Sequence, residues 1–422
     1  MKIAILTLGT RGDVQPYAVL GRALKAKGHE VTLSTAKNFE QLVGSYGIEF
    51  VPVEADFQEV LDSEDGKKTL KGNPFAIRKN LKTWVYPLIA NSLEVFYKLA
   101  VESDLVLYHV KTLADSFADQ FPEKMVRASV LPIVEPTKEF KNPSFGGLPI
   151  PKMFNRLSYT LSNQSLKLLS KPIGEFRVKF QLPKKFTVPN VKNIYAMSPS
   201  FLPTPKDYSA TSKFNGFWYD DSTEELSKEL TDFIHDGEKP LLITFGSMPS
   251  KSKFNLIKAV GKLVETLKVR VIIVKGWGFE KDLLADNSKI KIIDSVSYQT
   301  IFPLVKAVIH HGGIGTTAEC LRAGIPFMIC PILYPIGDQK FWGELAYNKG
   351  IAVKPIPLSK MTEAKFIDSV SELLNNQELY ENSIAMKTRI HHEDGIEKTI
   401  EEIEKQGKTV SSVNADNNYI KE

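Results

Sequence analysis

The stretch Val308-Ile309-His310-His311-Gly312-Gly313-Ile314-Gly315-Thr316-Thr317-Ala318-Glu319 decides the fold. It opens as an apolar run of strand character, passes through three glycines within four positions and continues as a helix. Glycine lets a backbone approach a ligand closely. A helix N-terminus offers unpaired N–H groups and positive potential. Together these features suit a diphosphate. His311 can add a donor or a positive charge, Thr316 and Thr317 hydroxyls, and Glu319, expected in the first helical turn, a carboxylate for ribose hydroxyls. The alternative is a tight strand–helix turn with capping threonines and an acidic residue that merely suits the helix dipole. His310 reads as a structural histidine at the strand end. No lysine follows the glycines as in a P-loop, and their spacing is not Gly-x-Gly-x-x-Gly. Kinase, ATPase and dehydrogenase readings therefore lose their main support.

Working outward, strands are expected over 240–245, 269–274, 290–293 and 307–310, with a helix over 255–267. The N-terminal half follows the same pattern. A strand over 2–7 leads through Gly9-Thr10-Arg11-Gly12-Asp13 into a helix over 14–27, which Gly28 stops. Further strands are expected over 30–35 and 104–108. Strands alternating with helices imply parallel sheets with right-handed crossovers. The 422 residues suit two domains of about 200 each. We expect an α/β chain with two Rossmann-like, doubly wound domains, 1–210 and 211–390, and a frayed polar tail over 406–422.

Two further stretches carry chemistry. In an open parallel sheet, ligands bind at the carboxyl ends of strands, and that is where Gly9-Thr10-Arg11-Gly12-Asp13-Val14-Gln15-Pro16 falls. Asp13 either caps the helix or takes a proton from an incoming hydroxyl. Arg11 either orients the loop or an anion, or forms a salt bridge. In Ile336-Gly337-Asp338-Gln339-Lys340-Phe341-Trp342-Gly343, an adjacent acid and amide can hydrogen-bond neighbouring sugar hydroxyls. The bland reading has them as turn residues before a helix, with Trp342 as packing.

Composition sets outer limits. Hydrophobic residues at 43% and charged residues at 24% are ordinary for a globular chain, which excludes wholly disordered and collagen-like classes. A net charge of +5 is too small to demand nucleic acid. Two cysteines are too few for a disulfide framework or a zinc cage. The apolar start at 3–8 is too short for a secretory signal, and the proline-broken run 323–337 is too short for a bilayer. The expectation is cytoplasmic, with peripheral contact at the inner membrane face left open. Residues 122–192 hold 13 Lys/Arg against 4 Asp/Glu. They form either a solvated basic face or one with affinity for an anionic lipid surface or ligand.

The three motifs, in this order, resemble those of nucleotide-sugar glycosyltransferases with the GT-B fold. The nearer likeness is to the branch holding sterol glucosyltransferases and the bacterial transferases of glycopeptide and macrolide antibiotics. That resemblance implies two domains facing a cleft, with a helix over 391–405 crossing back to the first domain. It implies Asp13 as general base, Ser247 as a donor-phosphate contact, and Ser295 and Val296 as backbone readers of uracil. His311, Gly313, Gly315 and Thr316 match its diphosphate cradle, Glu319 its ribose acid, and Asp338 and Gln339 its hexose contacts. Thr10, Arg11 and His109 are candidates for the acceptor cleft. No metal site and no resident cofactor are expected; UDP-glucose is the expected co-substrate, with a TDP-sugar as the variant. The stretch 63–85, where the acceptor side of the family varies, carries no readable motif, the uracil segment lacks the Trp-x-Pro-Gln of plant relatives, and Leu333-Tyr334-Pro335 before Gly337 is unusual.

The expected reaction is an inverting, metal-independent transfer of a hexose to a hydroxyl of a lipophilic acceptor: a sterol, a terpenoid, a polyphenol or a polyketide. The residues 73–99, with Phe75, Trp84, Tyr86, Leu88 and Phe96, suit a flat apolar acceptor and suit core packing equally. Two rivals stand: a non-hydrolysing sugar-nucleotide epimerase, and a catalytically idle binder of nucleotide sugar or lipid.

Overall fold

A computed structural model describes residues 1–54, 81–245, 254–275 and 287–419. It contains two wholly parallel sheets. The first has seven strands: β1 (Lys2–Leu6), β2 (Glu30–Ala36), β3 (Glu49–Val53), β4 (Leu105–Tyr108), β5 (Met125–Ser129), β6 (Lys192–Tyr195) and β7 (Lys213–Phe214), in the order β3-β2-β1-β4-β5-β6-β7. The second has five: β8 (Leu241–Thr244), β9 (Val271–Val274), β10 (Ile290–Ile293), β11 (Ala307–His310) and β12 (Phe327–Ile329), in the order β10-β9-β8-β11-β12. These are the two α/β domains read from the sequence. The first sheet runs to Phe214, a few residues past 210.

The helices used below are α1 (Arg11–Ala26), α2 (Glu40–Ser45), α3 (Tyr86–Glu102), α4 (Asn155–Ser165), α5 (Ser170–Lys179), α6 (Ile314–Ala323), α7 (Gln339–Asn348) and α8 (Gly395–Tyr419). Strand order fixes where a ligand can sit. In each sheet the winding reverses once, between β1 and β4 and between β8 and β11. At such a switch point the loops leaving neighbouring strands diverge to opposite faces and leave a crevice. The loop after β1 carries Asp13, and the loop after β11 carries His311 and the glycines.

The halves are stitched together by polar contacts on a buried floor. Asp220, in the connection between the sheets, accepts from Arg22 of α1 at 2.8 Å and from the Tyr46 hydroxyl at the end of α2. Its carbonyl oxygen accepts from Arg322 of α6 at 2.8 Å. Helix α8 lies against the first domain: Lys192 pairs with Glu402 at 2.6 Å and His29 with Glu404 at 3.2 Å. Gly216 has φ 117°, and a Cβ there would stand 2.9 Å from Gly395, so the connection and the start of α8 cross in direct backbone contact. The helix continues past residue 406, where a tail was expected. Gln406 donates to the Glu123 carbonyl at 2.8 Å, and Val410 is buried. Among the described residues, no helix is long and apolar enough to cross a membrane.

Candidate active site

On the N-terminal side, the sequence builds a carboxylate with every direction specified. Gly9 has φ 141°, and a Cβ there would lie 2.2 Å from Asp13 Oδ2, so only glycine leaves room for this side chain. The Thr10 amide donates to Oδ2 at 2.9 Å and the Thr10 hydroxyl at 3.2 Å, a capping-box arrangement at the start of α1. The helix thus begins three residues before the expected 14. The other oxygen, Oδ1, receives Lys111 Nζ at 2.6 Å. Asp13 is therefore the cap of the bland reading and also a buried, charged group at the switch point.

Lys111 is a functional residue that the sequence reading missed. Its signal is positional. It stands three residues past β4, the strand beside β1 at the switch point. Burial pushes the Asp13 carboxyl up, but the Lys111 ammonium, His109 and hydrogen bonds from Lys111 and the Thr10 amide outweigh it, leaving the pKa below 3.8. His109 is fully buried and edge-on to Tyr17 at 5.8 Å. Burial drives its pKa down to about 3, against the pull of Asp13, so it is neutral at pH 7. Its Nε2 has no partner among the described residues. Arg11 points its Nε at Gln15 Oε1, 2.9 Å away on an exposed face. Gln15 in turn donates to the Tyr46 hydroxyl at 3.1 Å, joining this loop to Asp220.

On the C-terminal side, three glycines serve three purposes. Gly312 has φ 95°, and a Cβ would lie 2.6 Å from Ile329 and 3.0 Å from the Gln339 carbonyl oxygen; the turn itself requires it. At Gly313 a Cβ would lie 2.7 Å from His311 Nε2, so the ring occupies that ground. At Gly315, in the first turn of α6, a Cβ would meet nothing within 4 Å among the described residues, and its φ is not positive. Neither packing nor backbone conformation demands this glycine. What its missing side chain leaves is open space at a helix N-terminus. Thr316 stands half-buried beside it, while the Thr317 hydroxyl donates to the Gly313 carbonyl at 3.0 Å.

The histidines here are neutral. His310 is fully buried, its Nδ1 accepting from the Gly312 amide at 3.2 Å, as a structural histidine would. Burial pushes His311 down to about 4, so at neutral pH it offers an N–H rather than the positive charge the sequence allowed. Helix α6 begins at Ile314, which puts Glu319 in the second turn, not the first. Its Oε2 accepts from Arg322 Nε at 3.0 Å and forms an ion pair with Arg322 Nη2 at 2.7 Å. Burial raises its pKa to about 7 despite that cation, with help from Asp220 and Asp221.

The loop before α7 completes the wall. Asp338 Oδ2 accepts from Trp342 Nε1 at 2.7 Å, and Trp342 is fully buried packing. Gln339 Oε1 accepts from the Ile332 and Leu333 amides at 2.7 and 2.8 Å, which pins the loop. This oxygen is thus committed to backbone rather than held out for a sugar. Burial raises the Asp338 pKa, opposed by Trp342 and by Lys111 and reinforced by Asp13. A backbone clasp holds the loop: the Gly337 amide donates to Ser144 O at 2.7 Å and the Gly147 amide to Pro335 O at 3.1 Å. Ser295 is exposed and Val296 half-buried at the end of β10. They line a cavity of about 460 Å³ together with Glu224 and Ser227. Ser247 lies outside the described residues, as does the segment 55–80 with Phe75.

A family model described as glycosyltransferase family 28 N-terminal domain matches residues 3–110, and one described as UDP-glucoronosyl and UDP-glucosyl transferase matches residues 200–400. Both models describe glycosyltransferase domains, and the fold is the GT-B fold. The chain is 29% identical over 414 residues to a sterol 3-beta-glucosyltransferase of Arabidopsis thaliana, covering 94% of this chain and 64% of that protein. It is 28% identical over 426 residues to the O-mycaminosyltylonolide 6-deoxyallosyltransferase of Streptomyces fradiae, covering 97% and 98%. The chain spans only 33% of the length of a Pichia angusta sterol 3-beta-glucosyltransferase. Among solved structures, the glycotransferase of kitacinnamycin superposes with a TM-score of 0.68 at 16% identity, covering 96% of this chain and 98% of that one. VinC, solved in complex with dTDP, gives 0.66 at 16% identity, covering 97% and 100%. At that identity the likeness bears on fold alone.

Proposed function

We propose that this glycosyltransferase moves a hexose from a nucleoside diphosphate sugar, UDP-glucose in the first instance, to a hydroxyl of a lipophilic acceptor, with inversion at the anomeric carbon. The observation that carries this reading is the Asp13–Lys111 pair at one switch point, with the loop of Asp338 clasped by its backbone to residues 144–147 of the first domain. A base at one switch point then faces a sugar-binding loop beside the other. That the relatives act on a sterol and on a macrolide precursor, by their names, supports a bulky apolar acceptor.

The donor diphosphate lies over Gly313, Gly315 and Thr316. Amides at the start of α6, the helix dipole and the neutral N–H of His311 stabilise charge as the diphosphate leaves. Donors of this kind are worth roughly 3–4 kcal/mol each when aimed at developing charge, enough in number to act without a divalent cation. Glu319 takes the ribose hydroxyls through Oε1, and Asp338 a hexose hydroxyl. Ser295 and Val296 border the base, and Ser247 adds a phosphate contact.

Asp13 accepts the acceptor proton through Oδ1, the oxygen that Lys111 holds. A carboxylate with a depressed pKa is a weak base, so it cannot remove an alcohol proton in advance. The proton moves as the oxygen attacks, when its acidity rises steeply. Lys111 keeps Asp13 ionised and withdraws when the hydroxyl docks. Thr10 and Arg11 border that approach, and His109 packs behind it.

The test is UDP release from UDP-glucose in the presence of EDTA, adding sterol, triterpenoid, flavonoid and macrolide acceptors singly. The reading expects release dependent on one acceptor class, with a mass gain of one hexose on that acceptor. Product from donor alone would instead favour an epimerase. Donor binding without release or transfer for any acceptor would favour an idle binder.

A further inference from the structure

Helix α4 has apolar residues on both faces. Its inward face carries the fully buried Tyr159 beside two polar residues: Asn155 Nδ2 donates to the Lys138 carbonyl at 2.8 Å, and the Ser158 hydroxyl donates to the Asn155 carbonyl and accepts from the Asn142 amide at 2.8 Å. Its outward face is apolar. Leu157 is 50% exposed and Leu161, one turn on, is 52% exposed; just before the helix, Met153 is 82% exposed and Phe154 is also exposed. A surface helix ordinarily turns its apolar stripe to the core. Here Tyr159, Asn155 and Ser158 already fill the core side, and a second apolar stripe faces out. Scattered exposed leucines need no explanation, but a contiguous apolar face does.

The face extends and is charged at its border. Leu168 is 59% exposed, and its carbonyl accepts from the Tyr86 hydroxyl at 2.9 Å. That contact brings the start of α3, with the exposed Trp84, to the same region. Between 152 and 185 the sequence holds eight basic residues and one acidic residue, Glu175. Arg177 is buried against Asp119 and Lys179 pairs with Glu94, but Lys152, Lys167, Lys184 and Lys185 are exposed with no salt bridge among the described residues.

We infer that this face of α4 and the start of α5 docks on the surface of an anionic lipid bilayer. The chemistry discriminates among partners. Lysine is depleted at protein–protein interfaces, whereas leucine, phenylalanine and tryptophan bordered by lysine suit the boundary between acyl chains and anionic headgroups. Lysine stems lie along apolar surface while the ammonium reaches the headgroup. The geometry also serves the reaction proposed above. Gly147, clasped to the loop of Asp338, is only six residues from Met153, at most about 20 Å of chain. A lipophilic alcohol leaving the bilayer thus enters beside the cleft.

The experiment is sedimentation of the full chain with vesicles of phosphatidylcholine alone and of phosphatidylcholine with phosphatidylglycerol. Light scattering gives the oligomeric state of the same samples. The wild type is expected to partition about tenfold more strongly onto the anionic vesicles. The double variant Leu157→Asp, Leu161→Asp is expected to lose about tenfold or more of that binding. Both positions are exposed, so its thermal unfolding and its affinity for UDP-glucose should match the wild type. Absence of wild-type binding to anionic vesicles overturns the inference. So does equal binding by the variant, or a wild-type dimer that the variant makes monomeric. None of these readouts depends on transferase activity, so failure here is separable from failure of the proposed reaction.

Discussion

The two walls of the site are made of different materials. The wall after β11 is neutral: two histidines with pKa values pushed below the ordinary range, three glycines and the open end of a helix. The wall after β1 and β4 is an ion pair, the buried Asp13 with the exposed Lys111. The difference follows from what each must meet. A diphosphate brings its own charge, so fixed dipoles suffice to hold it. An alcohol brings none, so the protein must supply the charge that draws its proton. The same contrast appears in the backbone. Gly9 is emptied to admit a protein carboxylate, while no described residue fills the space beside Gly315.

Breaking the charged wall has the largest expected effect. Asp13→Asn keeps the size and the capping geometry but removes the base; kcat is expected to fall about a thousandfold, measured by UDP release with acceptor present. Breaking the neutral wall comes next. Gly315→Val places a branched side chain over the helix end, and affinity for UDP-glucose, measured by calorimetry, should fall about a hundredfold. Folding stability should not fall, since glycine is the poorer helix former and the site is open.

Lys111 sharpens the comparison through pH. Removing the ammonium takes away what holds the Asp13 pKa down, so Lys111→Met should move the acid limb of the kcat/KM profile up. Activity then falls more at the acid end of the profile than at pH 8, while Lys111→Arg restores the limb. A residue with only a packing role would lower the profile without shifting it.

The smallest effect belongs to Glu319. With its pKa near 7, it is largely protonated at pH 6 and largely ionised at pH 8. Ribose hydroxyls prefer the carboxylate, so UDP-glucose affinity should rise about fivefold across that interval, and Glu319→Gln should flatten the dependence. The linked stability runs the other way. Its raised pKa stabilises the empty protein at pH below about 4.5, a contribution lost as pH rises through about 7. The buried, neutral His109 has the opposite sign, with stability lost as pH falls from 6.5 towards 3.

The second sheet was more legible than the first, for a physical reason. Its strands β8, β9, β10 and β11 are near-continuous apolar runs, as expected of strands buried on both faces. In the first sheet β5 and β6 read Met-Val-Arg-Ala-Ser and Lys-Asn-Ile-Tyr. Arg127 and Asn193 are buried there because they bond each other at 2.7 Å and Arg127 also reaches Asp115. A buried polar pair breaks the apolar run, and no single strand reveals its partner. At the site, the motifs announced Asp13 and the glycines. Lys111 was hidden because its meaning depends on β4 lying beside β1, and the outward leucines of α4 because their spacing is the same whichever way the helix is turned.

The account stands on the division of labour between the walls, and one pair of titrations tests it. UDP-glucose is titrated into Asp13→Asn and into Gly315→Val, each checked for the wild-type unfolding transition. The account predicts wild-type donor affinity for Asp13→Asn together with lost transfer, and lost donor affinity for Gly315→Val. Lost donor affinity for Asp13→Asn, or wild-type affinity for Gly315→Val, would contradict it.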